Sequence, residues 1–163
     1  IFLQTMPIVA VAPLIVLWFG FGFQSVTTVV VIISLFPIIT NATTGMTSLD
    51  PGHVELFKLY NASRWQLLFK LRLPSAVPHI VTGARISSGL AVVGAIVGEF
   101  FAGATDKLKG LGYYVQSTGS LLKTDMLFAC IFLSAALGVA IFLLVSLVSR
   151  GILRTWTFDL NNN

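Results

Sequence analysis

The sequence predicts an all-α protein whose helices cross a membrane several times and pack as a bundle. Of its 163 residues, 56% are hydrophobic and 10% are charged, whereas soluble domains average about 45–50% and about 25%. The apolar residues are gathered in four long blocks, and none of these shows the apolar–polar alternation that a transmembrane barrel needs. Low hydrophobicity is typical of disordered chains, so disorder is excluded as well.

Four membrane spans are predicted, at 6–21, 26–39, 77–104 and 126–149. The last two contain the roughly 20 apolar residues that a spanning helix needs. The first two are shorter, and the uncharged turn 20–24 between them predicts a helical hairpin. Pro7, Pro13 and Pro37 in this hairpin predict kinks, which a membrane helix tolerates where neighbouring groups bond the freed carbonyls.

The distribution of Lys and Arg predicts which loops are cytoplasmic. Segment 40–85 holds five of these residues and the tail 150–163 holds two, against three in the loop 105–125 and none in the turn 20–24. Cytoplasmic loops carry an excess of basic residues, so we expect the long middle loop and the C-terminus in the cytoplasm. The net charge of +4 has the same explanation. No nucleic-acid partner is expected, because no basic stripe is interleaved with aromatic residues.

The middle loop carries signals for two short helices that meet at a turn. Asp50 followed by Pro51 is a typical helix start, because the Asp side chain accepts from free N–H groups and Pro fits the first helical position. Asn61 tolerates the left-handed conformation that ends many helices. Ser63 opens a capping box, Ser-Arg-Trp-Gln, and so begins a second helix. We expect this second helix to end at Pro74.

From its residues alone, this helical corner has two equally favoured uses. An amphipathic element with bases and an exposed Trp65 can rest on anionic lipid. The same corner, with an acid near its start and an aromatic and basic second arm, can fit a groove in a partner protein.

The spacing of the loop resembles the cytoplasmic EAA loop of binding-protein-dependent ABC importer permeases. That loop reads E-A-A, three residues, G, nine residues, I-x-L-P; here Glu55 is followed by Asn61 and by Leu-Arg-Leu-Pro at 71–74. The sequences at 61–66 and 83–86 are similar to those of the nitrate/sulfonate/taurine-type branch of the family. The segments 13–20, 36–38 and 98–100 fit the same branch. Two departures are Leu-Phe in place of Ala-Ala after the Glu, and Asn in place of Gly.

The resemblance implies a mechanism and a set of partners. A permease dimer, expected to be a homodimer, would form the solute pathway through a bacterial inner membrane. Two ATPase subunits would bind the loops at 50–74. ATP binding would move these loops and convert the pathway to its outward-facing state. An extracytoplasmic solute-binding protein would deliver the solute, in this branch nitrate, a sulfonate, taurine, or a pyrimidine or riboflavin-type compound. The chain has no G-x-x-x-x-G-K-[ST] phosphate loop, so we expect ATP hydrolysis on a separate subunit and no cofactor here.

The residues that the resemblance assigns to ATPase coupling are Glu55, Asn61, Ala62, Ser63, Arg64, Trp65, Leu73 and Pro74. Members of the family have about two further spans upstream. We therefore expect residues 1–163 to be the C-terminal part of a single permease domain that is truncated at its N-terminus. A second hypothesis is a secondary transporter or channel that works without an ATPase. It would need membrane-embedded acids for ion coupling, for which the sequence offers Glu99.

Arg85 and Glu99 bracket the uncharged stretch 86–98. Their separation along a helix is about 21 Å, which is less than the roughly 30 Å of the hydrocarbon core. At least one of the two charges must therefore lie at hydrocarbon depth, reach to the interface or face the bundle interior. Such a charge is by default a pathway or gate residue, and the alternative is a structural ion pair or an interfacial side chain. We expect Glu99 in the outer half of the bilayer.

Small residues recur on the last two predicted spans, namely Gly94, Gly98, Ala102, Ser134 and Gly138. Small side chains let helix backbones approach closely, so we expect them at helix contacts, with a smooth solute path as the alternative. Gly-Leu-Gly-Tyr-Tyr at 110–114 resembles a G-L-G-Y segment of the family, or else is a turn with aromatic interface anchors. His53, His79 and Cys130 are scattered, so we expect no metal site.

Overall fold

The computed structural model describes residues 7–103 and 109–160, with side chains up to residue 154. Throughout this part of the chain the regular structure is helical, which confirms the all-α class. The helices are α1 (Ile8–Phe19), α2 (Phe23–Thr47), α3 (Pro51–Leu59), α4 (Arg64–Leu67), α5 (Leu73–Ala102), α6 (Leu111–Ser120) and α7 (Thr124–Leu160). A turn of π-helix, Leu68–Arg72, joins α4 to α5. Helices suit a membrane because each one bonds its own backbone N–H and C=O groups.

Three stretches are long and apolar enough to cross a membrane: Phe23–Thr47, Arg64–Ala102 and Thr124–Arg154. The last three predicted blocks are therefore confirmed as helices of spanning length. The shortest of the three has 25 residues, about 37 Å at 1.5 Å per residue, against a hydrocarbon core of about 30 Å. The first predicted span is described from Pro7 onward as α1. With 12 residues, α1 by itself is shorter than a span, and this fourth crossing stays a prediction.

Helix α2 continues to Thr47, well past the predicted end at 39. The added segment is polar, but its side chains bond carbonyls of their own helix. The Thr43 hydroxyl donates to the Ile39 carbonyl at 2.8 Å, and the Thr47 hydroxyl donates to the Thr43 carbonyl at 2.9 Å. Because these hydroxyls donate to carbonyls of the same helix, the polar residues at 40–47 do not interrupt it.

The second helix of the middle loop does not end at Pro74, and this prediction is wrong. The chain runs from α4 through the π turn into α5, where Pro74 is the second residue. In a regular α-helix a proline clashes with the carbonyl four residues earlier and has no N–H to donate. Here the Leu73 N–H bonds to the Leu68 carbonyl, five residues back. The wider turn accommodates the proline ring, so the helix passes through it.

The chain divides into two compact units, the first of which comprises Ile1–Phe36 and Ser87–Val145. Its buried core joins Ala12 and Ile15 of α1 to Val29 of α2. Partly buried side chains of α5 pack against this core. Helices α1, α2 and α5 thus share one apolar core within this unit.

Two glycines bring the backbone of α5 close to α2 in the first unit. A Cβ added to Gly94 would lie 2.7 Å from the Ile33 Cγ2, and one added to Gly98 would lie 3.0 Å from the Val26 Cα. Ala102, one turn further on, is fully buried, and its carbonyl accepts from a backbone N–H of the turn between α1 and α2 at 3.0 Å. Small side chains at these positions are what allow so close an approach.

The second unit comprises Pro37–Ile86 and Ser146–Asn163. Within it, Gly45 and Gly83 lie at a close approach of α2 and α5. A Cβ on Gly45 would lie 2.8 Å from a backbone atom of α5, and one on Gly83 would lie 2.9 Å from a backbone carbonyl oxygen of α2. Glycine is required here because even one methyl group would meet backbone.

We predict that Gly98→Ala destabilises the full-length protein by about 1–3 kcal/mol, because its Cβ meets the Val26 backbone, which cannot move aside easily. Gly89→Ala on the same helix is the matched control, since nothing lies within 4 Å of its added Cβ. We expect it to be neutral or to stabilise by about 0.5–1 kcal/mol. The free energy of unfolding in detergent measures both. Equal stabilities of the two variants would contradict close packing at Gly98.

Candidate functional site

The first candidate site is the helical corner of the middle loop, and its first arm is closed at both ends by local hydrogen bonds. At the start of α3, the Gly52 N–H donates to the Asp50 carboxylate at 2.8 Å. At its end, Asn61 has φ +49°. The Asn61 N–H donates to the Lys58 carbonyl at 2.9 Å, and the next N–H donates to the Phe57 carbonyl at 3.0 Å. This pair of bonds is a Schellman motif, so the predicted start and end of the first helix are confirmed.

The second arm begins with the capping box that the sequence predicts. The Gln66 N–H donates to the Ser63 hydroxyl at 3.2 Å, and the Ser63 N–H donates to the Gln66 side-chain oxygen at 2.7 Å. Only Ala62 separates the Schellman residue Asn61 from this cap. The turn between the arms is therefore held by bonds between neighbouring residues, and its shape does not depend on a partner.

The corner presents exposed polar and aromatic side chains. Glu55 on α3 and Arg64 on α4 are exposed. Trp65 is 69% exposed and stacks on Phe69, with ring centroids 6.0 Å apart. Exposed stacked aromatics beside charges are typical of a surface that binds another molecule.

The inner side of the corner holds a cleft of about 290 Å³, lined by Leu56, Phe57, Tyr60, Ala62, Gln66 and Lys70. Leu56 and Phe57 are the residues that depart from the E-A-A pattern. Their larger side chains thus line the space between the two arms. Leu73 and Pro74 lie beyond the π turn, at the start of α5, and are half-buried.

The second candidate site is centred on Glu99, near the end of α5 in the first unit. Its carboxylate accepts a hydrogen bond from the Gly112 N–H at 2.9 Å. Gly112 is the second residue of α6, and the N-cap of that helix is Gly110, which has no side chain to offer. An acidic side chain at a helix N-terminus satisfies a free N–H group and interacts favourably with the helix dipole. Glu99 therefore caps α6 from another helix.

The Gly-Leu-Gly segment is a helix start that rests directly on Glu99. A Cβ on Gly110 would overlap the Glu99 carboxyl group, and a Cβ on Gly112 would overlap the Ile96 carbonyl oxygen. Tyr113 lies on the same segment, with the Lys109 ammonium 5.6 Å from the ring centroid. The sequence alternative of a simple turn does not describe this segment, because helix α6 begins within it.

Two cavities border Glu99 in the first unit. One, of about 360 Å³, lies between α2 and α5 and includes Thr27, Glu99 and Lys109 among its lining residues. The other, of about 470 Å³, lies between α5, α6 and α7. Ala95 and Glu99 line both cavities. Sequence reasoning found Glu99 but not its bond to Gly112, since the two residues are brought together only by the fold.

The other predicted residues have simpler surroundings. Arg85 is half-buried on α5 in the second unit. A Cβ on Gly138 would lie 3.7 Å from the Val92 side chain of α5. The Ser134 hydroxyl donates to the Cys130 carbonyl of its own helix at 2.7 Å. Among the residues that the structure describes, no group of three His, Cys, Asp or Glu side chains could hold a metal ion.

Comparison with known proteins gives one family. Residues 1–154 match the family of binding-protein-dependent transport system inner membrane components. The formylaminopyrimidine transport permease protein of Halalkalibacterium halodurans is 40% identical over 136 residues, covering 83% of this chain and 53% of that protein. The riboflavin transport system permease protein of Chloroflexus aurantiacus is 36% identical over 151 residues, covering 93% and 55%.

The taurine transport system permease protein of Escherichia coli is 34% identical over 141 residues, covering 86% of this chain and 49% of that protein. The chain spans about half the length of the curated relatives it matches.

We predict that Asn61→Val opens the corner, whereas Asn61→Gly leaves it intact. A β-branched residue is strained at φ +49°, and left-handed backbone costs an L-residue roughly 1–2 kcal/mol. Hydrogen exchange of the Asn61 and Ala62 amides, both bonded in the structure, measures the effect. We expect about tenfold faster exchange of the residue 62 amide for the Val variant, and a similar rate in both variants would disprove the prediction.

Proposed function

The chain belongs to the family of binding-protein-dependent transport system inner membrane components, and we propose on this basis that it is part of the transmembrane subunit of an ABC importer. Three helices of spanning length support the role of a membrane subunit. The relatives are named as transport permeases, which disfavours the alternative of an ATPase-independent carrier or channel. ATP hydrolysis is assigned to a separate subunit.

The observation that carries this proposal is the doubly capped corner on a continuous helix. The corner residues Asn61 to Trp65 are fixed by the Schellman motif and the capping box. Helix α4, the π turn and α5 then form one apolar stretch, Arg64–Ala102. In this proposal a push or pull on the corner is passed into the helix that follows it. The loop 50–74 is in this proposal the docking site of the ATPase.

Individual roles follow from where each side chain lies. Exposed Glu55, Arg64 and Trp65 contact the ATPase, and the residues between the arms, Asn61 to Ser63, set the angle of the corner. Leu73 and Pro74 join the corner to the span and are not themselves in the contact. Leu56 and Phe57 line the cleft of the corner in place of two alanines, and in this proposal they adapt the corner to its own ATPase.

The proposed assembly has two permease copies, two ATPase copies and an extracytoplasmic solute-binding protein. The loop 50–74 and the C-terminus then face the cytoplasm of a bacterial cell, as the count of basic residues predicts. Glu99, Arg85 and the cavities beside α5 are candidates for the solute pathway. The solute is a small molecule of the kind named for the relatives, such as a formylaminopyrimidine, riboflavin or taurine.

We predict that Glu55→Lys abolishes ATP-driven uptake while the protein still inserts in the membrane at its normal level. The exposed carboxylate would be replaced by a charge of opposite sign at the ATPase contact, and like-charge or unpaired contacts at an interface weaken binding. Copurification with the ATPase and uptake by proteoliposomes measure the effect, with at least a tenfold loss expected.

The matched control is His53→Gln, which changes another exposed residue of α3 and should keep uptake near normal. If Glu55→Lys copurified with the ATPase and transported normally, Glu55 would have no part in coupling.

A further inference from the structure

The cavity between α5, α6 and α7 has the form of a site for a small organic compound. Its volume is about 470 Å³ and it lies within the first unit; small-molecule sites span roughly 300–1,000 Å³. Among the described residues that line it, Ser88 and Glu99 have polar side chains, and the others, such as Val92, Leu137 and Ile141, are apolar. Mostly apolar walls with a few polar groups are typical of such sites.

Small side chains on one face of α5 leave room for the cavity. The lining residues that follow one another at intervals of three or four along this helix are Ser88, Ala91, Ala95 and Glu99. Residues at these intervals lie on the same side of a helix. Helix α7 packs against α5 beside the cavity, since a Cβ on Gly138 would lie 3.7 Å from a side chain of α5.

Glu99 supplies the charge of this cavity. Its carboxylate accepts a hydrogen bond from the Gly112 N–H at 2.9 Å, and a carboxylate can accept about four such bonds. It can therefore accept a further bond from a bound compound. No basic side chain is among the described residues that line the cavity. Lys109 is not one of them, and its ammonium lies 5.6 Å from the centroid of the Tyr113 ring.

This arrangement distinguishes between classes of compound. A sulfonate or another anion would meet the carboxylate in an apolar site without a basic partner, and like charges repel strongly there. An uncharged compound with an apolar body gains from the apolar walls. An amino or ring N–H group on that body would donate to the carboxylate, and hydrogen bonds to charged groups are the stronger ones.

We propose that this cavity is a solute site for an uncharged nitrogen heterocycle that carries an N–H donor, and that Glu99 accepts its hydrogen bond and excludes sulfonates and other anions. The inference rests on the proposed function and deepens it by naming the class of solute. Glu99 is in this proposal a specificity-determining residue, and its bond to Gly112 keeps the carboxylate in place.

The test uses the full-length permease purified with its ATPase, with Cys130→Ser and a reporter Ile141→Cys in the wall of the cavity. A water-soluble maleimide labels the reporter, and protection by an added compound measures binding. The compounds are cytosine, which is uncharged and has N–H donors, pyrimidine, which has none, and the anion ethanesulfonate.

Three variants are compared in this background. Glu99→Gln keeps a side-chain oxygen but loses the charge. Ala91→Leu enlarges a side chain that lines the cavity. Val93→Phe is the control, because it enlarges an exposed side chain of the same helix that does not line it.

We expect cytosine to protect the reporter at a concentration about tenfold lower than pyrimidine does, as one hydrogen bond to a charged group predicts, and ethanesulfonate not to protect it. In Glu99→Gln the difference between cytosine and pyrimidine should shrink to about threefold or less, and ethanesulfonate should begin to protect. Ala91→Leu should abolish protection, whereas Val93→Phe should keep it. A merely structural role of Glu99 would change protection by all three compounds alike.

The inference is overturned if cytosine does not protect the parent, if ethanesulfonate protects it as well as cytosine does, or if Glu99→Gln leaves the order of the compounds unchanged. It is also overturned if the parent reporter is not labelled, since the cavity would then be filled in the full-length protein. Should Ala91→Leu not fold, the comparison of the parent with Glu99→Gln decides.

The proposed function fails separately. If the parent complex neither copurifies with an ATPase nor carries out ATP-driven uptake, that proposal is wrong, and the protection pattern still decides whether the cavity binds the heterocycle. ATP-driven uptake of a sulfonate without protection by cytosine would leave the proposed function intact and overturn the site.

Discussion

The need to hydrogen-bond every backbone N–H and C=O group without water is the constraint on which this structure depends. In the hydrocarbon core an unbonded group is too unfavourable to persist, so the chain is helical wherever it can reach that depth. Polar side chains within the helices obey the same rule. The hydroxyls of Ser34, Thr82 and Ser134 each donate to a carbonyl four residues earlier. Such residues can sit in an apolar helix because their polar atoms are used locally.

Helix ends are where this constraint is hardest to meet, and the chain meets it in two ways. In the middle loop the caps are local: Asp50 and Ser63 bond N–H groups two or three residues away. At α6 the cap is tertiary, because the side chain of Glu99 bonds an N–H group 13 residues away. A local cap forms with its helix, whereas a tertiary cap ties two helices together and can be released. This difference fits a corner whose shape is set by its own neighbouring residues and a helix whose start is held by the fold.

Close packing of the helices also holds the structure together, and glycine allows the helices to approach at defined places. Gly94 and Gly98 approach α2, and Gly110 and Gly112 approach Glu99. In a membrane, where apolar surface gains little by being buried, such van der Waals contact is a main source of helix association. Glycines with open surroundings, such as Gly89 and Gly119, show that the residue type alone does not mark a contact.

The sequence by itself determined the fold class, the spanning blocks and the corner, because hydropathy and local caps are properties of residues within a few positions of one another. Asp50, Asn61 and Ser63 signal their helix ends without any reference to the rest of the chain. The tertiary structure alone decided what surrounds Glu99, since its partner Gly112 lies 13 residues further along the chain. It also decided that the helix continues through Pro74, because a π turn gives the ring room that an α-helix lacks. Local propensity predicts that a helix ends at a proline. Whether it does end there depends on the geometry of the preceding turn.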